Sequence, residues 1–386
     1  PETRDVRGRH GSTPDDETAE ALFLTSGYVY GSAEEAEAAF AGEQERYLYS
    51  RFGNPTVGMF EERLAQLEGL PAARATASGM AAVFAALASQ AGAGDRVVAS
   101  RALFASCHHI VEKILPRFGV ETEFVDGGDP AQWEAALSRP TTCVLAESPS
   151  NPGLEVLDLG MVAELTHAAG ARLVVDNAFA TPILQRPAEF GADVVVYSAT
   201  KYIDGQGRCL GGAILGHEEF IGEVAAPFLR QTGPALSPFN AWVMLKGLET
   251  LELRMDRHCR NADTLARRLA ERLPGRVRYP GLSNHPGHTL AMRQMSAAGG
   301  MLALDLETKD RAFAFLNGLG LIDISNNLGD AKSLACHPAS TTHQRLESAE
   351  KQRQGITEGL IRISVGLEDI EDLTADVVGA LEAVGG

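Results

Sequence analysis

The sequence predicts an α/β protein, a large and mostly parallel sheet with helices on both faces, followed by a smaller α+β domain. Between Arg96 and Tyr202 short apolar runs alternate with helical stretches, the pattern of strands joined by crossover helices. Three of these runs stop abruptly in polar residues: Thr142–Glu147, Arg172–Asp176 with Asn177 after it, and Val194–Tyr197 running on into Ser198, Thr200 and Lys201. Beyond about Phe239 the texture changes to long helical stretches and fewer strands.

Taken in order, the chain opens with an arm. Ser32 and Glu35 form a capping box ahead of a short helix over Ala36–Phe40. The stretch Tyr47–Pro55 ends in Gly-Asn-Pro, which marks a turn. If it is extended, Tyr49 and Arg51 point the same way, and a phenol beside a guanidinium can bind phosphate. Spacing alone equally describes, and even favours, an ordinary surface pair. Pro55–Glu68 has helical periodicity, with Val57, Phe60, Leu64 and Leu67 on one face and Gly69 as its stop.

Ala77-Ser78-Gly79-Met80 then opens an alanine-rich helix that runs to about Gln90. A small-residue turn at a helix start leaves free N–H groups and the positive end of the dipole, a weak signal for phosphate on its own. Strands are expected at Arg96–Ala99 and Val120–Val125, and helices near His108–Phe118 and Met161–Gly170. Phe104 follows the first of these strands, where an aromatic ring is either core or a plate against a flat ligand. Open α/β folds keep their ligands at the carboxyl ends of strands. Two hydroxyls and an amine at such an end suit a phosphate and a carbonyl carbon, although a strand running out into a polar loop reads the same way. The neighbouring ends, Glu147 and Asp176-Asn177, turn the three into one candidate site.

In the second half, a helical stretch over Asn240–Leu273 with a break at Gly247 precedes a Pro/Gly/His loop through His288. Strands follow at Met301–Leu306, Leu321–Ser325 and Leu360–Val365, and a helix over Ile370–Val384 closes the chain. Arg362 alternates with apolar neighbours. A strand arginine of this kind is usually exposed, but it is also a natural clamp for a carboxylate. The divisions expected are an arm over 1–55, an α/β domain over 56–240 and an α+β domain over 241–386.

Composition narrows the function classes. With 386 residues, 45% hydrophobic and 22% charged, the chain is long enough for two globular domains. A net charge of -17 argues against nucleic acid and anionic membranes as partners. No apolar run approaches the roughly 18 residues of a membrane helix, and Pro1–Ser12 is too polar for a secretion signal. Cys107, Cys143, Cys209, Cys259 and Cys336 are scattered without metal or redox spacing, which suits a reducing cytoplasm. His108-His109 and the pair His337 and His343 lack zinc spacing, so no metal is expected and these histidines are read as structural or solvent-facing.

Tyr49-Ser-Arg51-Phe-Gly-Asn-Pro, Ser78-Gly79-Met80, Glu147-Ser-Pro-Ser-Asn151-Pro152, Asp176-Asn177, Ser198-Ala-Thr200-Lys201 and Arg362-Ile-Ser-Val-Gly together resemble the Cys/Met metabolism family of pyridoxal-phosphate (PLP) enzymes. The resemblance runs in order from about Tyr49 to Glu368. Asp204-Gly-Gln-Gly-Arg208 and Ile324-Ser325-Asn-Asn-Leu-Gly-Asp-Ala-Lys332 are similar to the branch that joins sulfide to O-succinylhomoserine.

The resemblance implies the PLP-dependent transferase fold of type I, with a seven-stranded main sheet. It makes PLP the cofactor, Lys201 its covalent anchor and Asp176 the partner of its ring nitrogen. Ser78, Gly79, Met80, Ser198 and Thr200 would bind the phosphate, Phe104 would stack on the ring, and Tyr49 and Arg51 would reach the phosphate from a neighbouring subunit. Arg362 would hold the substrate and Asn151 either the ring oxygen of the cofactor or the substrate carboxylate, with Ser325 and Ser333 near the substrate. Arg208 is open between two roles, a partner for the distal carboxylate of a succinyl group and a structural arginine. The implied reaction replaces the acyloxy group of O-succinylhomoserine by sulfide, giving homocysteine for methionine biosynthesis in the cytoplasm. The implied assembly is a homotetramer, a dimer of dimers with shared active sites. Cystathionine γ-synthase, O-acetylhomoserine sulfhydrylase and, with less support, cystathionine or methionine γ-lyase stand as alternatives. Ala105-Ser106 differs from the Gly-Cys typical of methionine γ-lyases.

Overall fold

The architecture is that of a computed structural model, which describes residues 17–385. Pro1–Ser12 lies outside the described residues. The main sheet contains β1 (Ala72–Thr76), β2 (Arg96–Ser100), β3 (Glu121–Val125), β4 (Cys143–Glu147), β5 (Arg172–Asp176), β6 (Val194–Tyr197) and β7 (Gly212–Gly216). Their spatial order is β1-β7-β6-β5-β4-β2-β3. Only β7 opposes the rest, pairing antiparallel with both β1 and β6 while the other neighbours run parallel. β2, β4, β6 and β7 are buried along their whole length, as strands covered by helices on both faces must be.

A second sheet holds β8 (Val277–Arg278), β9 (Met301–Asp305), β10 (Asp323–Ile324), β11 (Leu334–Cys336) and β12 (Leu360–Ser364), in the order β10-β11-β12-β9-β8. Its outer face is closed by the Leu251–Arg272, Lys309–Gly318 and Ile370–Ala383 helices, whose Leu265, Leu269, Phe315 and Val377 share a core with Leu302 and Ile363. This sheet is a mixed α+β layer, and it matters here because β12 carries Arg362.

Helix ends follow from local chemistry. Asn54 caps the Pro55–Glu68 helix by accepting from Thr56 N and Val57 N, and Gly69 ends it in the left-handed region that glycine tolerates. The expected break at Gly247 falls instead at residues 249–250, between helices Pro238–Leu248 and Leu251–Arg272. Gly247 serves a close approach: a Cβ there would lie 2.2 Å from the Ile203 carbonyl oxygen. The expected helix near His108–Phe118 is a composite, α-helical over Ala105–His109, π-helical over Ile110–Ile114 and 3-10 over Leu115–Phe118. Leu321–Ser325 shrinks to the two-residue β10. Among the described residues no helix is long and apolar enough to cross a membrane.

Candidate active site

Parallel register brings the three polar strand ends together, with Glu147 paired to Asp176 and Asp176 to Val196. After Tyr197 the chain turns at once. Lys201 N donates to the Ser198 carbonyl at 3.2 Å, Asp204 N to that of Ala199 at 2.9 Å and Gly205 N to that of Lys201 at 2.8 Å. The turn defeats strand alternation, so Ser198, Thr200 and Lys201 all line one pocket of about 220 Å³ with Asp176, Phe104 and Arg362.

Lys201 Nζ donates to Asn327 Oδ1 at 2.7 Å. Burial, aided by the Arg362 charge, brings the amine down to about 8, so it can be neutral near working pH. Asp176 is pushed up to about 6 by burial, against the Ala178 N–H that donates to its Oδ1 at 3.1 Å. Glu147 beside it is raised by burial and then by the Asp176 charge.

One wall is the start of the Gly79–Ala88 helix, where Ser78 Oγ accepts from Ala81 N at 3.2 Å. A Cβ on Gly79 would lie 2.5 Å from Ser198 Cβ, so glycine is what lets this helix terminus sit against the end of β6. Thr200 Oγ1 accepts from Gly211 N at 3.1 Å. Free helix N–H groups and two hydroxyls make an anion cradle here.

Across the pocket, Arg362 is 1% exposed, with no carboxylate paired to it among the described residues. Its Nη1 donates to Asn151 Oδ1 at 3.0 Å, its Nη2 to the Asn326 and Asn327 carbonyls at 3.0 and 3.2 Å, and its Nε has no partner. A buried guanidinium satisfied only by neutral acceptors calls for an anion. Phe104 meets the edge of His343 at 6.2 Å. His343 is buried, not solvent-facing, and burial lowers it to about 3, so this imidazole is neutral.

Not every expected site residue is brought in. Tyr49 and Arg51 are exposed and sit outside the pocket of their own chain. Arg51 donates to the Arg230 carbonyl in a separate surface cleft. Arg208 is turned away: its Nε donates to Asp204 Oδ1 at 2.9 Å and its Nη2 to the Asp204 carbonyl at 2.7 Å. The reason is that the Asp204 side chain is wholly buried and takes the nearest cation. Ser333 Oγ bridges Glu368 and Gly366 N, and Ser325 Oγ accepts from Asn327 N, so both shape loops around the pocket without lining it. Asn326 and Thr342 also line the pocket, and Asn327 touches it through Lys201, though the sequence marks none of the three as a site residue. Glu147, read from the sequence as one of the strand ends that make the candidate site, lines the pocket, and Asn327 sits in a loop whose fold carries no local signal.

An amine of lowered pKa, an acid that ionises, an anion cradle at a helix start and a flat aromatic wall fit the aldehyde, ring nitrogen, phosphate and ring of PLP. Fold and site thus define a PLP-dependent enzyme of the α/β class. The chain belongs to the Cys/Met metabolism PLP-dependent enzyme family, whose model matches residues 2–382. It is 56% identical over 386 residues to an O-succinylhomoserine sulfhydrylase of Mycobacterium tuberculosis, covering 97% of this chain and 94% of that one. It is 49% identical over 386 residues to an O-succinylhomoserine sulfhydrylase of Pseudomonas aeruginosa, covering 99% and 95%. A crystal structure from Campylobacter jejuni that carries N'-pyridoxyl-lysine-5'-monophosphate superposes with TM-score 0.95 at 32% identity, covering 99% of each chain.

Proposed function

We propose that this enzyme replaces the succinyloxy group of O-succinylhomoserine by sulfide, releasing succinate and forming homocysteine. The observation that carries the reading is identity of 49–56% to two sulfhydrylases over almost the whole chain. When bound, PLP supplies a protonated pyridine ring that draws electrons from the substrate α-carbon. Asp176 holds that ring nitrogen in its charged form. Arg362 clamps the α-carboxylate, and Asn151 fixes the guanidinium in turn. Lys201, once free, removes the proton from Cα and then moves one at Cβ, which a neutral amine near pH 8 can do. Phe104 stacks without a hydroxyl, so no phenol shares this proton traffic. Succinate then leaves from Cγ and the sulfur takes its place.

Product analysis tests the reading. O-succinylhomoserine with sulfide should give homocysteine faster than O-acetylhomoserine does, and faster than cysteine in place of sulfide gives cystathionine. Dominant cystathionine, or a keto acid and ammonia with no thiol present, would move the enzyme to a synthase or a lyase. The assembly fitting this reading is a homotetramer built from dimers, in which Tyr49 and Arg51 complete a partner's phosphate cradle. All five cysteines are free, in keeping with work in a reducing cytoplasm.

A further inference from the structure

We propose that Glu147 is a positioning residue that locks the aromatic wall and the substrate clamp of the pocket to one another through its two carboxyl oxygens. Glu147 ends β4, is 5% exposed and stands in register with Asp176. Its Oε2 accepts from Phe104 N and its Oε1 from Asn151 N, each at 2.7 Å. Phe104 belongs to the loop after β2, and Asn151 to the loop after β4. Asn151 carries the connection onward, because its Oδ1 receives Arg362 Nη1 at 3.0 Å. One side chain therefore sets both the ring expected to face the coenzyme and the residue that orients the carboxylate clamp.

Neither N–H has another acceptor among the described residues, and each would be left unsatisfied in a buried site without Glu147. An amide in its place can accept with only one of its two terminal atoms. Burial, and then the adjacent Asp176 charge, raise Glu147. The inference rests on the family's coenzyme and is independent of which ester or sulfur donor the enzyme uses.

The test uses the PLP-loaded enzyme and L-norvaline, an α-amino acid without a leaving group, whose Kd is read from the visible absorbance. Glu147→Gln should raise that Kd about tenfold, the scale of one buried hydrogen bond left unmade, and change the visible circular dichroism of the bound coenzyme. Asn151→Ala should raise the Kd as well. The double variant should lose less than the two single losses combined, since part of the Glu147 effect passes through Asn151 to Arg362. Glu147→Asp, which keeps both acceptor oxygens but is one methylene short of reaching both N–H groups, should show the same pattern and serves if the glutamine variant does not fold. A purely structural Glu147 would lower Tm while leaving Kd and circular dichroism at parental values. That result, or additive losses in the double variant, overturns the proposal.

Discussion

At the scale of single residues, the pocket places charged groups where the empty fold is penalised for them. Asp176 has an ordinary value of 3.8 and a folded one of about 6, so the fold disfavours its ionised form. The penalty is absent below pH 3.8, where the acid is protonated folded or unfolded, and grows to its full size as pH rises through about 6. Asp176→Asn should therefore raise the Tm of the coenzyme-free protein at pH 7.5 and leave it unchanged at the acid end, while turnover of the loaded enzyme falls by about a hundredfold or more. Thermal melts across pH, paired with the sulfide assay, check both halves. A Tm gain equal at all pH values would remove the electrostatic explanation.

Arg208 poses the opposite case, a cation whose position is explained by stability alone. Because its guanidinium is committed to Asp204, Arg208→Ala should slow the succinyl and acetyl esters by the same factor, within about twofold, and lower Tm by about 1–3 °C. A selective loss on the succinyl ester would show that the arginine swings into the pocket during turnover.

At the scale of elements, the site depends on how closely a helix start can approach a strand end. Ser78 caps the Gly79–Ala88 helix, and Gly79 removes the one Cβ that would strike Ser198. Gly79→Ala must push the helix or β6 aside, and the N–H cradle moves with it. We expect coenzyme affinity to drop by about tenfold or more with the sheet core intact, measured by titrating PLP into the coenzyme-free variant. The Val194–Tyr197 run, β-branched and ended by polar residues, announces itself in the sequence as β6, and so do β4 and β5.

β1 and β7 are not legible in the sequence, because Ala-Ala-Arg-Ala-Thr and Gly-Ala-Ile-Leu-Gly lack alternation and each holds a single β-branched residue. They are strands because neighbours pair with them. The same reason hid β11, three residues held between β10 and β12. Lys201, Asp176 and Arg362 could be read because each ends or interrupts an apolar run. Asn327 could not, since only the long-range packing of its loop brings its amide to Lys201, 126 residues away.

At the scale of the whole molecule, the proposed sharing of sites between subunits rests on two residues near the N-terminus. Tyr49 and Arg51 are exposed, outside the Lys201 pocket, and Arg51 rests on the Arg230 carbonyl beside Phe52, whose ring also lies under the Arg230 guanidinium at 3.7 Å. If sites are shared across a two-fold axis, each is built from Lys201 of one subunit and Arg51 of the other. Lys201→Ala and Arg51→Ala homo-oligomers should then both be inactive. In a mixed dimer one site carries both defects and its partner carries neither. Unfolding the two variants together and refolding them at equal amounts should restore about one quarter of parental activity, since random pairing makes half the dimers mixed and half of their sites intact. Mixing without unfolding gives the background. Recovery no greater than that background would place Arg51 and Lys201 in separate tasks, and would leave each pocket to be completed within its own chain.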